Sequence, residues 1–147
     1  MIDKNRILIV DDNEPFRRVL RDFLSQEPDF EIVGEAGRLG EAIRAIGTVS
    51  PHLVLTDLSM PDARGIEAVT AIRRHCPEVK ILVVSSHREH EFKRLCREAG
   101  ADGYIVKDTV HDTLRDHMRA VLGGGTRPGA LSAQTIGKAR TGPETRQ

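Results

Sequence analysis

Apolar positions along the chain follow two alternating rhythms. Short runs rich in β-branched and aliphatic residues recur at Ile7-Leu8-Ile9-Val10, Glu31-Ile32-Val33, Leu53-Val54-Leu55, Ile81-Leu82-Val83-Val84 and Tyr104-Ile105-Val106, which predicts five short strands. Between them the spacing is helical: Phe16, Val19, Leu20, Phe23 and Leu24 share one face, as do Leu39, Ala42, Ile43 and Ile46, and then Phe92, Leu95, Cys96 and Ala99. Val69 and Ile72 mark a weaker third helix, and Val110, Leu114, Val121 and Leu122 a last one starting near Thr109. Strands without polar alternation are buried on both faces, and strand-helix alternation five times over predicts a parallel sheet with helices on each side and right-handed crossovers. The expected fold class is a doubly wound α/β domain.

The pattern ends at Gly123-Gly124-Gly125, beyond which Pro128, Gly129, Gly137, Gly142 and Pro143 interrupt any long element. Residues 1–122 are therefore read as the domain and 123–147 as a linker or flexible tail. The tail holds four basic residues (Arg127, Lys138, Arg140, Arg146) against Glu144 alone, while the whole chain balances 22 basic against 22 acidic residues. A balance that even offers no global field for nucleic acid or an anionic membrane, so no nucleic-acid binding is expected of this chain alone. Cys76 and Cys96 lie in no Cys-x-x-Cys arrangement and are expected as buried or half-buried free thiols. No apolar run approaches the roughly 20 residues that span a bilayer, which gives a cytoplasmic protein as the expectation.

In a parallel α/β sheet, ligands sit beyond the carboxyl ends of the strands, where successive crossovers leave on opposite sides. The first run ends in Asp11-Asp12, the third in Thr56-Asp57, the fourth in Ser85-Ser86 and the fifth in Lys107-Asp108, whereas the second, expected at the sheet margin, ends in Glu35-Ala36. Crowded carboxylates raise a pKa or demand a cation. Oxygen-only ligands select a hard ion, and Mg²⁺ takes one or two carboxylates, keeps waters and adds a phosphate oxygen. A Mg²⁺-assisted phosphoryl site follows, with Lys107 and Ser85 contacting phosphoryl oxygens. Each residue alone has an ordinary reading, as helix cap, turn residue or solvated lysine. Their coincidence on one edge carries the inference.

Ile7 to Asp12, Leu53 to Pro61 and Gly100 to Lys107 together resemble the signature of response-regulator receiver domains in two-component signalling, over about Arg6 to Leu122. The resemblance implies a flavodoxin-like five-stranded sheet of order 2-1-3-4-5, a topology for which a chemotaxis receiver is the standing illustration. It implies that Asp57 accepts a phosphoryl group from a histidine kinase or phosphotransfer protein, and that Asp11, Asp12, Asp57 and the backbone carbonyl of Ser59 hold Mg²⁺. Lys107 would neutralise the phosphoryl group, with Ser85 as the switch hydroxyl and Tyr104 as the aromatic that moves with it. The chain would then be a phosphoacceptor assisting its own phosphorylation and dephosphorylation, not an enzyme. Its fourth helix, fifth strand and fifth helix would form the face for a homodimer or a downstream partner.

Asp108 stands where many receivers carry proline, as in receivers attached to LuxR-type (NarL/FixJ-like) helix-turn-helix domains. A DNA-binding domain would need roughly 60 further residues. A stand-alone receiver and the N-terminal part of a DNA-binding transcription regulator both remain open, beside a receiver-like interaction module that works without phosphorylation. An aspartate-nucleophile phosphatase needs a second acid two residues after the nucleophile, a position held here by Ser59. His87 and His90 do not form a His-Glu-x-x-His pattern. His87 has two readings, a side chain overhanging the phosphoryl group or a solvated start to the fourth helix.

Overall fold

The computed structural model describes residues 4–123. Strand β1 (Asn5–Val10) leads to α1 (Glu14–Leu24), β2 (Phe30–Ala36), α2 (Leu39–Val49), β3 (Leu53–Thr56), α3 (Glu67–His75), β4 (Lys80–Ser85), α4 (His90–Ala99), β5 (Gly103–Val106), a 3₁₀ turn (Lys107–Thr109) and α5 (Val110–Gly123). The five strands form one parallel sheet of order 2-1-3-4-5, as the resemblance implied. A separate two-residue antiparallel ladder pairs Ser59–Met60 with Ala63–Arg64 just past β3. Of the tail expected over 123–147, Gly123 belongs to α5 and the part from 124 onward lies outside the described residues.

Alternation along each strand divides the core in two. Ile7, Ile9, Leu53, Leu55, Leu82, Val84 and Ile105 face α1 and α5, where Leu20, Leu24, Val110, Leu114 and Met118 meet them. Leu8, Val10, Val54, Ile81 and Val83 face the other way, against Ala42, Ile46, Ala68, Val69, Ile72 and Cys96 of α2, α3 and α4. The third helix, weak in the sequence pattern, is thus firmly seated, with Ala68, Val69 and Ile72 fully buried.

Two expectations change at the margins. Val19, counted on the apolar face of α1, is 41% exposed, because that face narrows to Leu20 and Leu24. β2 is longer than its apolar run and carries an irregularity opposite Ile7-Leu8, where the register skips Val33. The last helix starts near Thr109 as expected, with Lys107–Thr109 forming a 3₁₀ turn before α5 begins at Val110.

Helix ends are fixed by specific partners. Asn13 Oδ1 accepts the Phe16 N–H at 2.9 Å and Pro15 stands in the first turn, so α1 starts directly after the acidic pair. Arg38, at the N-cap of α2, makes no side-chain cap bond; Asp62, from the loop after β3, accepts the Leu39 and Gly40 N–H groups at 2.8 and 3.0 Å instead. α4 closes on Gly100 at φ 117°, a conformation that favours glycine.

Candidate functional site

Parallel pairing continues one residue past the strands and sets the site. The Asp11 N–H donates to the Ala36 carbonyl and the Asp57 N–H to the Val10 carbonyl, each at 2.9 Å. The two aspartates therefore stand side by side at the carboxyl edge, on the adjacent central strands β1 and β3. β1 leaves through α1 on one face and β2 returns through α2 on the other, so this is the switch point of the winding.

Asp11 and Asp57 are buried and Asp12 is exposed, and one carboxylate oxygen from each lies within 4.8 Å of the others. Lys107 reaches in from the end of β5, its Nζ 2.9 Å from Asp11 Oδ2 and 3.5 Å from Asp57 Oδ2. Asp57 Oδ1 accepts the Leu58 N–H at 2.8 Å. Burial, followed by the charge of Asp11, pushes the Asp57 carboxyl above the usual carboxylate range, against the opposing pull of Lys107 and the Leu58 N–H. For Lys107, burial disfavours the ammonium, but the hydrogen bond and charge of Asp11, with Asp57 behind it, outweigh burial and raise its pKa. Three carboxylates around one ammonium leave negative charge uncompensated. That deficit and the oxygen-only donor set fit a hard divalent cation held by Asp11, Asp12 and Asp57. Among the described residues, no other group of three or more acidic, histidine or cysteine side chains converges in this way.

Ser85 closes β4 fully buried, and its Oγ accepts the His87 N–H at 3.2 Å. Tyr104, half-buried on β5, donates its hydroxyl proton to the His87 carbonyl at 2.7 Å. Ser85 and Tyr104 are thus joined through the backbone N–H and carbonyl of one residue. The His87 ring stacks on Phe92 of α4, centroids 4.3 Å apart and planes 19° apart, an arrangement that neither reading of His87 included. Ser59 lies two residues past Asp57, exposed, in the short ladder.

Sequence reasoning missed two neighbours of the site. Lys107 Nζ lies 4.5 Å from the centre of the Phe16 ring, a cation–π contact that supports the ammonium from the α1 side. Arg17 donates from Nη1 to the Asp11 carbonyl at 2.5 Å. Both occupy the first turns of a helix that begins at the acidic pair, and that adjacency was the available signal. Periodicity instead assigned Phe16 to the core face and left Arg17 outside the apolar set.

Comparison with known proteins agrees with the geometry. Residues 7–119 match the response regulator receiver domain family. The chain is 32% identical over 123 residues to the transcriptional regulatory protein DegU of Brevibacillus brevis, covering 84% of this chain and 52% of the relative. It is 36% identical over 119 residues to the response regulator protein VraR of Staphylococcus aureus, covering 81% and 57%. It spans just over half the length of these curated relatives. A solved LuxR-family two-component response regulator from Aurantimonas sp. SI85-9A1 superposes with a TM-score of 0.79 at 32% identity, covering 88% of this chain and 94% of that one. With the sheet order, the paired aspartates and Lys107 already in place, the chain belongs to the response regulator receiver domain family.

Proposed function

We propose that the chain is a phosphorylation-dependent signalling switch in which Asp57 accepts a phosphoryl group from a histidine kinase or phosphotransfer protein. The observation that carries this reading is the placement of Asp57 at the end of a central strand, within reach of Lys107 and beside Asp11 and Asp12. A carboxylate oxygen of Asp57 attacks phosphorus, the bond to the donor imidazole breaks, and the imidazole leaves with the electron pair and takes a proton from water. Asp11, Asp12, Asp57 and the Ser59 carbonyl would hold Mg²⁺, which supplies charge neutralisation between carboxylate and phosphoryl oxygens. Lys107 transfers its ammonium from Asp11 to a phosphoryl oxygen, and the Ser85 hydroxyl donates to another. No general acid stands at Ser59, so the chain acts as a phosphoacceptor in its own reaction and not as an enzyme on outside substrates.

A phosphoryl group adds about −1.5 to −2 charge and shifts a conformational balance only through groups that contact it differently in two states. Drawing Ser85 inward takes its hydroxyl from the His87 N–H, and the same backbone segment holds Tyr104. The switch therefore runs through His87 to α4, β5 and α5, the face assigned to a homodimer or downstream partner. Moving from 1:99 to 99:1 takes about 5.5 kcal/mol. Incubation with a small acyl-phosphate donor and Mg²⁺ should add one phosphoryl group, and a chelator should stop the reaction. Equal labelling of Asp57→Asn would refute the assignment.

A second reading, compatible with the first, makes this chain the receiver of a cytoplasmic DNA-binding regulator. It is favoured by the fact that the chain spans just over half of relatives that include a transcriptional regulatory protein. Sequencing the complete coding region around this stretch, followed by DNA binding of its full product, tests it.

A further inference from the structure

Asp11 is held at all four of its polar atoms. Its N–H donates to the Ala36 carbonyl at 2.9 Å, Oδ1 accepts the Asn13 N–H at 2.9 Å, and Oδ2 lies 2.9 Å from Lys107 Nζ. The fourth contact, on the carbonyl, comes from the side chain of Arg17, one and a half turns along from the acidic pair. That side chain is only 18% exposed, and its Nε donates to Glu35 Oε1 at 3.1 Å. Glu35 is in turn gripped through its other oxygen by Arg21. A Cβ placed on Gly37 would lie 3.3 Å from Arg17 Nη1 and 3.8 Å from both the Asp11 carbonyl oxygen and the Asp12 Cα. The guanidinium therefore fills the notch between the backbone of the acidic pair and the turn from β2 into α2.

We propose that Arg17, clamped by Glu35, is a positioning residue for the divalent-cation site: it fixes the Asp11–Asp12 peptide and so the direction of both carboxylates. This rests on the Mg²⁺ reading above. A planar guanidinium held at Nε and Nη1 fixes the direction of the carbonyl it meets, which a single ammonium on a flexible stem cannot do. Rotation of the Asp11–Asp12 peptide would move Asp12, whose exposed side chain has little else to orient it. Groups that orient metal ligands in this way are commonly worth about 10- to 100-fold in metal affinity.

Charge and position pull in opposite directions here, and that makes the proposal decidable. Removing a cation near the site would by itself tighten Mg²⁺ binding, whereas loss of positioning weakens it. Mg²⁺ affinity should be measured by isothermal titration calorimetry on the full chain, its Arg17→Ala, Arg17→Lys and Glu35→Asp variants, with thermal melting alongside. Both Arg17 variants are expected to bind about tenfold more weakly. Glu35→Asp, which keeps the charge but cannot keep the reach, should show a smaller loss in the same direction, and it serves as the test if an Arg17 variant fails to fold. Tighter binding by Arg17→Ala with Arg17→Lys unchanged would reduce Arg17 to a background charge and overturn the proposal. Lower melting temperatures with unchanged Mg²⁺ affinity would reduce it to a packing contact, which also overturns it. A parent protein that does not bind Mg²⁺ would overturn the functional reading itself, and this inference with it.

Discussion

Replacing Arg73 with alanine should be among the most destabilising single changes in the molecule. Arg73, at the end of α3, donates to the Gly100 carbonyl from Nη2 at 2.8 Å and from Nε at 3.2 Å, and to the Pro77 and Val79 carbonyls from Nη1 at 2.8 and 2.6 Å. Its Nη2 also meets Asp102 Oδ2 at 2.9 Å, with side chains 14% and 3% exposed. The same carboxylate oxygen accepts the Ile81 N–H at 2.9 Å, so one guanidinium joins the end of α3, the turn after α4 and the start of β4. Deleting one partner of a buried pair typically costs about 3–5 kcal/mol, because the charge that remains loses a partner where water does not replace it. A domain of this size has about 5–15 kcal/mol in total, and each kcal/mol moves its melting point by roughly 4 °C. Arg73→Ala should therefore melt roughly 12–20 °C below the parent, as read by circular dichroism. Arg73→Lys should recover only part of the loss, since an ammonium cannot span the same carbonyls. A loss under about 1 kcal/mol in urea titration would mean that the pair contributes no more than an exposed one, and the reasoning from burial would fail.

Two further outcomes can be checked on purified protein. Because burial and then Asp11 hold the Asp57 carboxyl above its ordinary range, the folded chain binds that proton more readily than the unfolded chain does, so this group's effect on stability worsens as pH rises through the carboxylate range. Asp57→Asn should be more stable than the parent at pH 7 in urea titration without Mg²⁺, with the gap closing near pH 4; a less stable variant at pH 7 contradicts the sign. Gly103→Ala would set a Cβ 2.8 Å from Leu82 Cδ1 and 3.3 Å from Val121 Cγ2, and because Leu82 is fully buried the expected cost is about 1–3 kcal/mol, against which an unchanged melting point would count.

The apolar runs located all five strands of the parallel sheet because a sheet covered on both faces has no polar alternation to dilute the signal. Asp11, Asp12, Asp57, Ser85 and Lys107 could be picked out because a strand end is the one place where a polar residue must face the ligand edge. Phe16 and Arg17 escaped because helical periodicity assigns a residue to a face and says nothing of what overhangs the helix's first turn. Arg73 escaped for another reason: most of its partners are backbone carbonyls, which have no signature in side-chain identity, and Asp102 lies 29 residues away. The irregularity in β2 depends on how Val33 is absorbed at a sheet edge, a matter of pairing that no local pattern encodes. The tyrosine–serine link was hidden for the same cause, since its connector is the backbone N–H and carbonyl of His87 and not its ring.

Arg115 and Arg119 of α5 grip the turn between α1 and β2, pairing with Glu27 and Asp29 and lying over the rings of Phe23 and Phe30. These bonds join residues 88, 90 and 92 positions apart, so the first third of the chain obtains its closing contacts from α5. During synthesis, α1 and β2 must wait at the ribosome with that flank uncovered until α5 has emerged. Contacts of such separation form late and slow the final closure. A nascent chain stopped before Arg115 would hold all four carboxylate and lysine groups of the site and still lack the clasp that completes the fold around them.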